Sequence, residues 1–196
     1  LKGESKVSYY PVLGISTGAL EIANADWSDS GPFMVADRLK VGVDLMALIG
    51  GEVKITGLEA VNPAILLEKS AGGQVNWQLG VEGVAPSGQA SGTRNALALS
   101  LDRALISGGS LRYVDHGAGS ETRIGDIALD LRWPEYRGNA DFDLSARPDG
   151  AAPLSVTGNI ADLAALIEGK ITNLSVTAKA GGGQATFDGQ IRTAHV

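Results

Sequence analysis

"IALDLRWPEYRGNADFDLSAR", residues 127–147, decides the fold. Ile127, Leu129, Leu131 and Trp133 take every second position, with Asp130 and Arg132 between them. "PEYRGN" reads as a turn, and the alternation then resumes with Ala140, Phe142, Leu144 and Ala146 against Asp141, Asp143, Ser145 and Arg147. Side chains two apart on a strand share a face, so this stretch predicts two strands with one apolar and one wet side.

The same period continues toward the C-terminus. After "PDG" at 148–150, Leu154, Val156, Gly158 and Ile160 alternate with Ser155, Thr157 and Asn159. Leu174, Val176 and Ala178 alternate with Ser175, Thr177 and Lys179, and "GGG" at 181–183 turns the chain. Ala185, Phe187 and Ile191 then face away from Thr186, Asp188 and Gln190. Short turns between consecutive strands predict an antiparallel meander.

Toward the N-terminus the pattern is less regular. Strands are expected in 18–27, 33–45, 52–61 and 64–69. In "NPAILLEKSAGGQVNWQL" (62–79), Pro63 opens a strand, Gly72-Gly73 permit a tight turn, and Trp77 reads as a buried anchor for a returning strand at 75–82. The Gly/Ser/Pro-rich stretch 83–95 reads as a flexible loop, and strands resume over 96–116.

Helix signals are scarce. "VDLMALIGG" (43–51) and "ADLAALIEG" (161–169) each carry an apolar stripe and stop at glycine. They align as an internal repeat, D-L-x-A-L-I-x-G followed by a K-I-T strand. The expected fold class is mainly β: one domain over 1–196, an elongated, curved antiparallel sheet forming a meander, with one or two short helices.

Composition narrows the function. The net charge is −6, and the 16 basic residues are spread singly, so the basic footprint of a nucleic-acid binder is missing. The absence of cysteine excludes disulfides, thiolate metal sites and cysteine nucleophiles. The longest near-apolar run, 41–51, is interrupted by Asp44 and is too short to span a bilayer. The chain starts at Leu1 rather than Met, so a processed or trimmed piece is expected, with any anchor upstream.

No catalytic constellation emerges. His116 and His195 lie in no metal-ligand spacing and read as surface residues. Asp141 and Asp143 would point outward together, but their row continues into Ser145 and Arg147, as on a solvated strand face. Asp26 and Asp29 read as turn residues. "GAGSET" (117–122) fits no nucleotide-binding pattern. What stands out is apolar: a long sheet face with little helix to cover it. Either the sheet folds over into a sandwich and the face is core, or the face stays open for an apolar ligand.

Over Tyr9–Leu79 the chain resembles the AsmA family of bacterial envelope proteins. The resemblance rests on an ordered set: L-G-x-x-x-G-x-L-x-I-x-N-A, a V-x-V-D-L strand into A-L-I-G-G, a V-x-I-x-G-L strand, N-P-x-I-L-L-E and the G-G-Q-V-N-W hairpin. From residue 96 onward, "RALISGGSLRYVD" and 161–191 are similar to later family segments. The resemblance implies a periplasmic protein anchored in the inner membrane by an N-terminal helix that this chain lacks. It implies no enzymatic activity and no cofactor. It further implies a β-groove related to bridge-like lipid-transfer proteins, which carries phospholipid or another acyl lipid for outer-membrane biogenesis. Leu129, Leu131, Trp133, Phe142, Leu144, Leu154, Val156, Leu174, Val176, Phe187 and Ile191 would then face lipid. The alternative expectation is a closed β core that recruits envelope proteins during outer-membrane protein assembly.

Overall fold

The alternation seen in the sequence becomes one sheet. The computed structural model describes residues 5–8, 12–44, 46, 49, 55–77 and 101–193. Its strands are β1 (Ser5–Ser8), β2 (Val12–Thr17), β3 (Leu20–Ile22), β4 (Met34–Ala36), β5 (Arg38–Asp44), β6 (Ile55–Val61) and β7 (Ala64–Lys69). They continue as β8 (Leu101–Asp115), β9 (Ser120–Trp133), β10 (Ala140–Pro148), β11 (Leu154–Ile160), β12 (Thr172–Ala180) and β13 (Gly183–Ile191). The main path runs β1-β2-β5-β6-β8-β9-β10-β11-β12-β13, and a branch of β3, β4 and β7 joins it at β8.

From β8 to β13 every neighbour is antiparallel, as the turn spacing predicts. The difference from an all-antiparallel sheet lies at β8, which is parallel to both β6 and β7. The hairpin logic that serves consecutive strands does not reach this pairing, because about thirty residues separate Lys69 from Leu101 and such a connection can return the chain in either sense.

β6 and β7 lie end to end along one edge of β8. β6 pairs with Arg103–Ser107 and β7 with Ser110–Asp115. Between them Asn62 takes φ 49° and turns the chain. β4 and β5 are likewise one run broken at Asp37, where the sequence pattern predicts a single strand over 33–45. Asp37 lies beside Asn62: its backbone N–H donates to Val61 O at 3.0 Å, and the Asn62 amide donates to its carboxylate at 2.7 Å. Opposite, Gly108 adopts φ +64°, and a Cβ there would stand 2.2 Å from Asn62 Oδ1. Further across, Asp126 of β9 has φ 51°, and the β9–β10 register shifts between Ser145 and Arg147. These breaks fall side by side in adjacent strands, so they form a crease across the sheet. Bulges bend strands and sharpen twist, and a line of them bends the whole sheet.

The core is thin. Eleven apolar residues are buried among those described, and seven are alanines. The best-packed spot is Trp133, Ala140 and Ala164, with Leu101, Leu131, Tyr136, Ile160 and Leu163 around them. Ala164 comes from the helix α1 (Leu163–Ile167) in the connection between β11 and β12. The Asp162 side chain caps it, accepting from Ala165 N–H at 2.8 Å, and Gly169 at φ 72° ends it.

The helix expected at 43–51 differs. Val43 and Asp44 still belong to β5, Met46 and Ile49 are helical, and the other positions lie outside the described residues. Asp44 Oδ1 accepts from Met46 N–H at 2.9 Å, the same local device as Asp162. The strand expected at 18–27 is confined to Leu20–Ile22, because the chain turns at Asp26 and Trp27. The returning strand expected at 75–82 begins as a single bridge, Lys69 to Val75, and then turns at Asn76 and Trp77. Trp77 is 40% exposed rather than buried, with its ring 6.1 Å from that of Tyr113. The rest of that expected strand, 78–82, the loop 83–95, the start of the strands expected from 96 (96–100) and His195 lie outside the described residues.

Candidate functional site

Register, more than hydrophobicity, makes the site. Each strand has an apolar side, and the cross-strand pairing sets these sides edge to edge. One row reads Val41, Leu58, Ala104, Leu131, Phe142, Gly158, Val176 and Phe187, one residue from each of eight neighbouring strands, β5 to β13. A second row, two residues along, reads Leu39, Ala60, Ile106, Leu129, Leu144, Val156, Ala178 and Ala185. At about 4.8 Å per strand, seven steps make an apolar path about 34 Å long.

The structure thus brings together most of the residues singled out in the sequence. Leu129, Leu131, Phe142, Leu144, Val156, Val176 and Phe187 lie in the two rows. Leu154 pairs with Ala146, Leu174 with Ile160 and Ile191 with Thr172 on the same face, nearer its margins. Trp133 shares this face but is 1% exposed, because α1 and Tyr136 cover it; its place is in the packing and not on the open surface. The other ten are half-buried or, for Phe187 at 46%, exposed.

Sequence reasoning missed the part of the path supplied by β5, β6 and β8, three of its eight strands. Leu39 and Val41 flank Lys40, and Leu58 and Ala60 flank Glu59, so the two-residue period was present there as well. Parallel pairing with β8 was the missing link.

Two glycines shape the floor. A Cβ at Gly158 would meet Phe142 Cζ at 2.7 Å, so the ring lies across the glycine. Phe187 lies over Gly189 in the same manner, with Cζ 2.9 Å from the place of a Cβ. Aromatic rings laid flat over glycines keep the face apolar without raising a side chain into the path.

The reverse face is polar and ion-paired. Arg103 grips Asp130 with two hydrogen bonds of 2.9 and 2.7 Å, and Arg132 adds a third at 3.0 Å. The Arg103 contact is the main reason the Asp130 carboxyl is held down at about 2. That clamp has a use, since Asp143 stands directly opposite Asp130 and two carboxylates facing each other repel. Asp141 and Asp143 both point outward here, Asp141 accepting from Asn159 at 2.7 Å. Among the described residues no cluster of His, Asp and Glu is arranged to hold a metal ion.

The other notable group is Glu68, fully buried in the branch beyond the crease. Burial pushes its carboxyl upward, but hydrogen bonds from Ser28, Ser30, His116 and Asn24 outweigh that and bring it to about 2. Asn24 donates at 2.8 Å, His116 Nε2 lies at 3.0 Å and Ser28 Oγ makes a short contact. Asn76 closes the network, accepting from Glu68 N–H at 2.8 Å and donating to Asn24 Oδ1 at 2.9 Å and Leu66 O at 2.8 Å. Every oxygen of Glu68 is occupied by protein donors, so the group ties the 24–30 loop to β7 instead of meeting a ligand. His116, read from sequence as a surface residue, has 43% of its side chain exposed and serves this tie.

The described residues define a class: a mostly β protein built on one large open mixed sheet, with apolar rows in register along one face. Within that class the chain belongs to the AsmA family, whose family model matches residues 1–195. No curated protein and no solved structure matched the chain. Membership of this family fits an envelope-associated role related to lipid transport. Among the described residues no helix is long and apolar enough to cross a membrane.

Proposed function

We propose that this chain is a non-enzymatic lipid-binding module of the periplasm, which holds acyl chains of phospholipid along the two apolar rows. One observation carries the reading: the rows stay in register through eight strands while the reverse face is polar. The path of about 34 Å exceeds the half-thickness of a bilayer core, about 15 Å, which is the depth of one acyl layer. Each methylene removed from water contributes about 0.8 kcal/mol, so roughly ten on the face suffice to hold a chain after ordering costs. No metal, nucleotide or reacting side chain is required. The role is to move or hold lipid for outer-membrane biogenesis.

Mass spectrometry of an organic extract of the purified protein tests this. The expected result is co-purified phospholipid near one molecule per chain. A lipid-free extract, together with no uptake of a fluorescent fatty acid, would overturn the reading. A second reading, an interaction module for envelope proteins, draws on the outer edge of β13, which pairs only with β12 among the described residues. Pull-down of outer-membrane assembly factors by lipid-free protein would favour it.

A further inference from the structure

The two ends of the strands are unlike. At one end the turns are 70–74, 116–119, 149–153 and 181–182, built from Ser, Gln, His, Asp, Gly, Ala and Pro, with Trp77 near them as that end's exposed large apolar side chain. At the other end lie the β5–β6 connection, the β9–β10 turn and the α1 connection. Seven large apolar side chains are exposed among the described residues, and four of them stand at this second rim: Met46 at 77%, Ile49 at 74%, Ile167 at 63% and Ile171 at 60%. Ile49 and Ile167 occupy the same position of the internal repeat, and both copies turn the residue outward.

We propose that this rim is a membrane-contacting edge, which dips aliphatic tips into the surface of a phospholipid bilayer. Several features favour a bilayer over a protein. Met46 and Ile49 after β5 stand about five strand steps along the rim from Ile167 and Ile171, about 24 Å. Between and beside the tips stand Tyr136, Arg137 and Lys170, the side chains that settle at the headgroup level with apolar bodies and polar ends. Arg137 and Lys170 share Glu168, at 2.8 and 2.5 Å. The apolar rows lie within roughly 15 Å of this rim, so a lipid leaving the bilayer meets the face at once. The choice of a bilayer as partner rests on the lipid reading above; the asymmetry of the rims does not.

The chain has no cysteine, which permits single-site labelling. Ile167→Cys and Ala151→Cys, each carrying an environment-sensitive dye, place a reporter at each rim. Vesicles of phosphatidylethanolamine and phosphatidylglycerol should blue-shift the dye at 167 and leave that at 151 unchanged. In vesicle flotation, Ile49→Ser and Ile167→Ser should each weaken binding about tenfold, with circular dichroism confirming the fold. Equal shifts at both rims, undiminished flotation of the folded double variant, or rim-dependent self-association without vesicle binding would overturn the proposal. Fatty-acid uptake separates the two readings. Loss of vesicle binding with uptake intact removes the rim alone, and loss of uptake with vesicle binding intact removes the acyl face alone.

Discussion

Glu68 shows how a residue can matter without reacting. In water a carboxyl at 4.5 is ordinary; here it is brought to about 2 because buried donors converge on the ionised form. The folded state therefore holds the charged form better than the unfolded state does. Its contribution to stability is complete above about pH 4.5 and is lost as pH falls toward 2, an effect of about 3 kcal/mol. In Glu68→Gln the amide adds donors where Asn24, Ser28 and His116 already supply them. We expect that variant to lose about 2–3 kcal/mol at pH 7 and to show a smaller acid dependence between pH 4.5 and 2, the remainder coming from groups such as Asp130. Thermal unfolding followed by circular dichroism across that range checks both; a parallel shift of the two proteins at every pH would refute the assignment.

At the scale of the element, the crease is the feature with the sharpest local demand. Gly108 combines a left-handed φ with a neighbour 2.2 Å from the place of its missing Cβ. Gly108→Ala must displace Asn62 from Asp37, and we expect a loss of about 2 kcal/mol or more. Gly150→Ala, with φ +72° but open space around it, should cost about 1 kcal/mol. Chemical denaturation of the pair compares them, and equal losses would mean that Asn62 does not hold the crease.

Strands β9 to β13 were legible in the sequence because each is joined to the next locally and alternates strictly. The short helix was legible from Asp162 and Gly169. The crease was not, since Asn62, Asp37, Gly108 and Asp126 are far apart in the chain and meet only through the β6–β8 and β7–β8 pairings. Burial of Glu68 was hidden for the same reason: its donors lie at 24–30, 76 and 116. Trp133 was placed on the right face, yet a five-residue helix folds back over it, and period-two reasoning has no term for that.

At the scale of the molecule, the two faces differ in chemistry. The reverse face spends charge on ion pairs and exposes hydroxyls to water; the apolar face keeps two rows in register with little protein above them. A globular domain of this length would fold such a face inward and bury large side chains by the dozen. Among the described residues this chain buries mostly alanines and leaves its larger apolar residues half-covered along the path, as the proposed lipid-holding face would require.

Val156 and Thr157 are neighbours in β11 that point to opposite faces. Placing a photo-activated benzophenone side chain at each position and irradiating with phospholipid compares the faces directly. The account predicts a lipid adduct at 156 and none at 157; equal adducts at both, or none at 156, would contradict it.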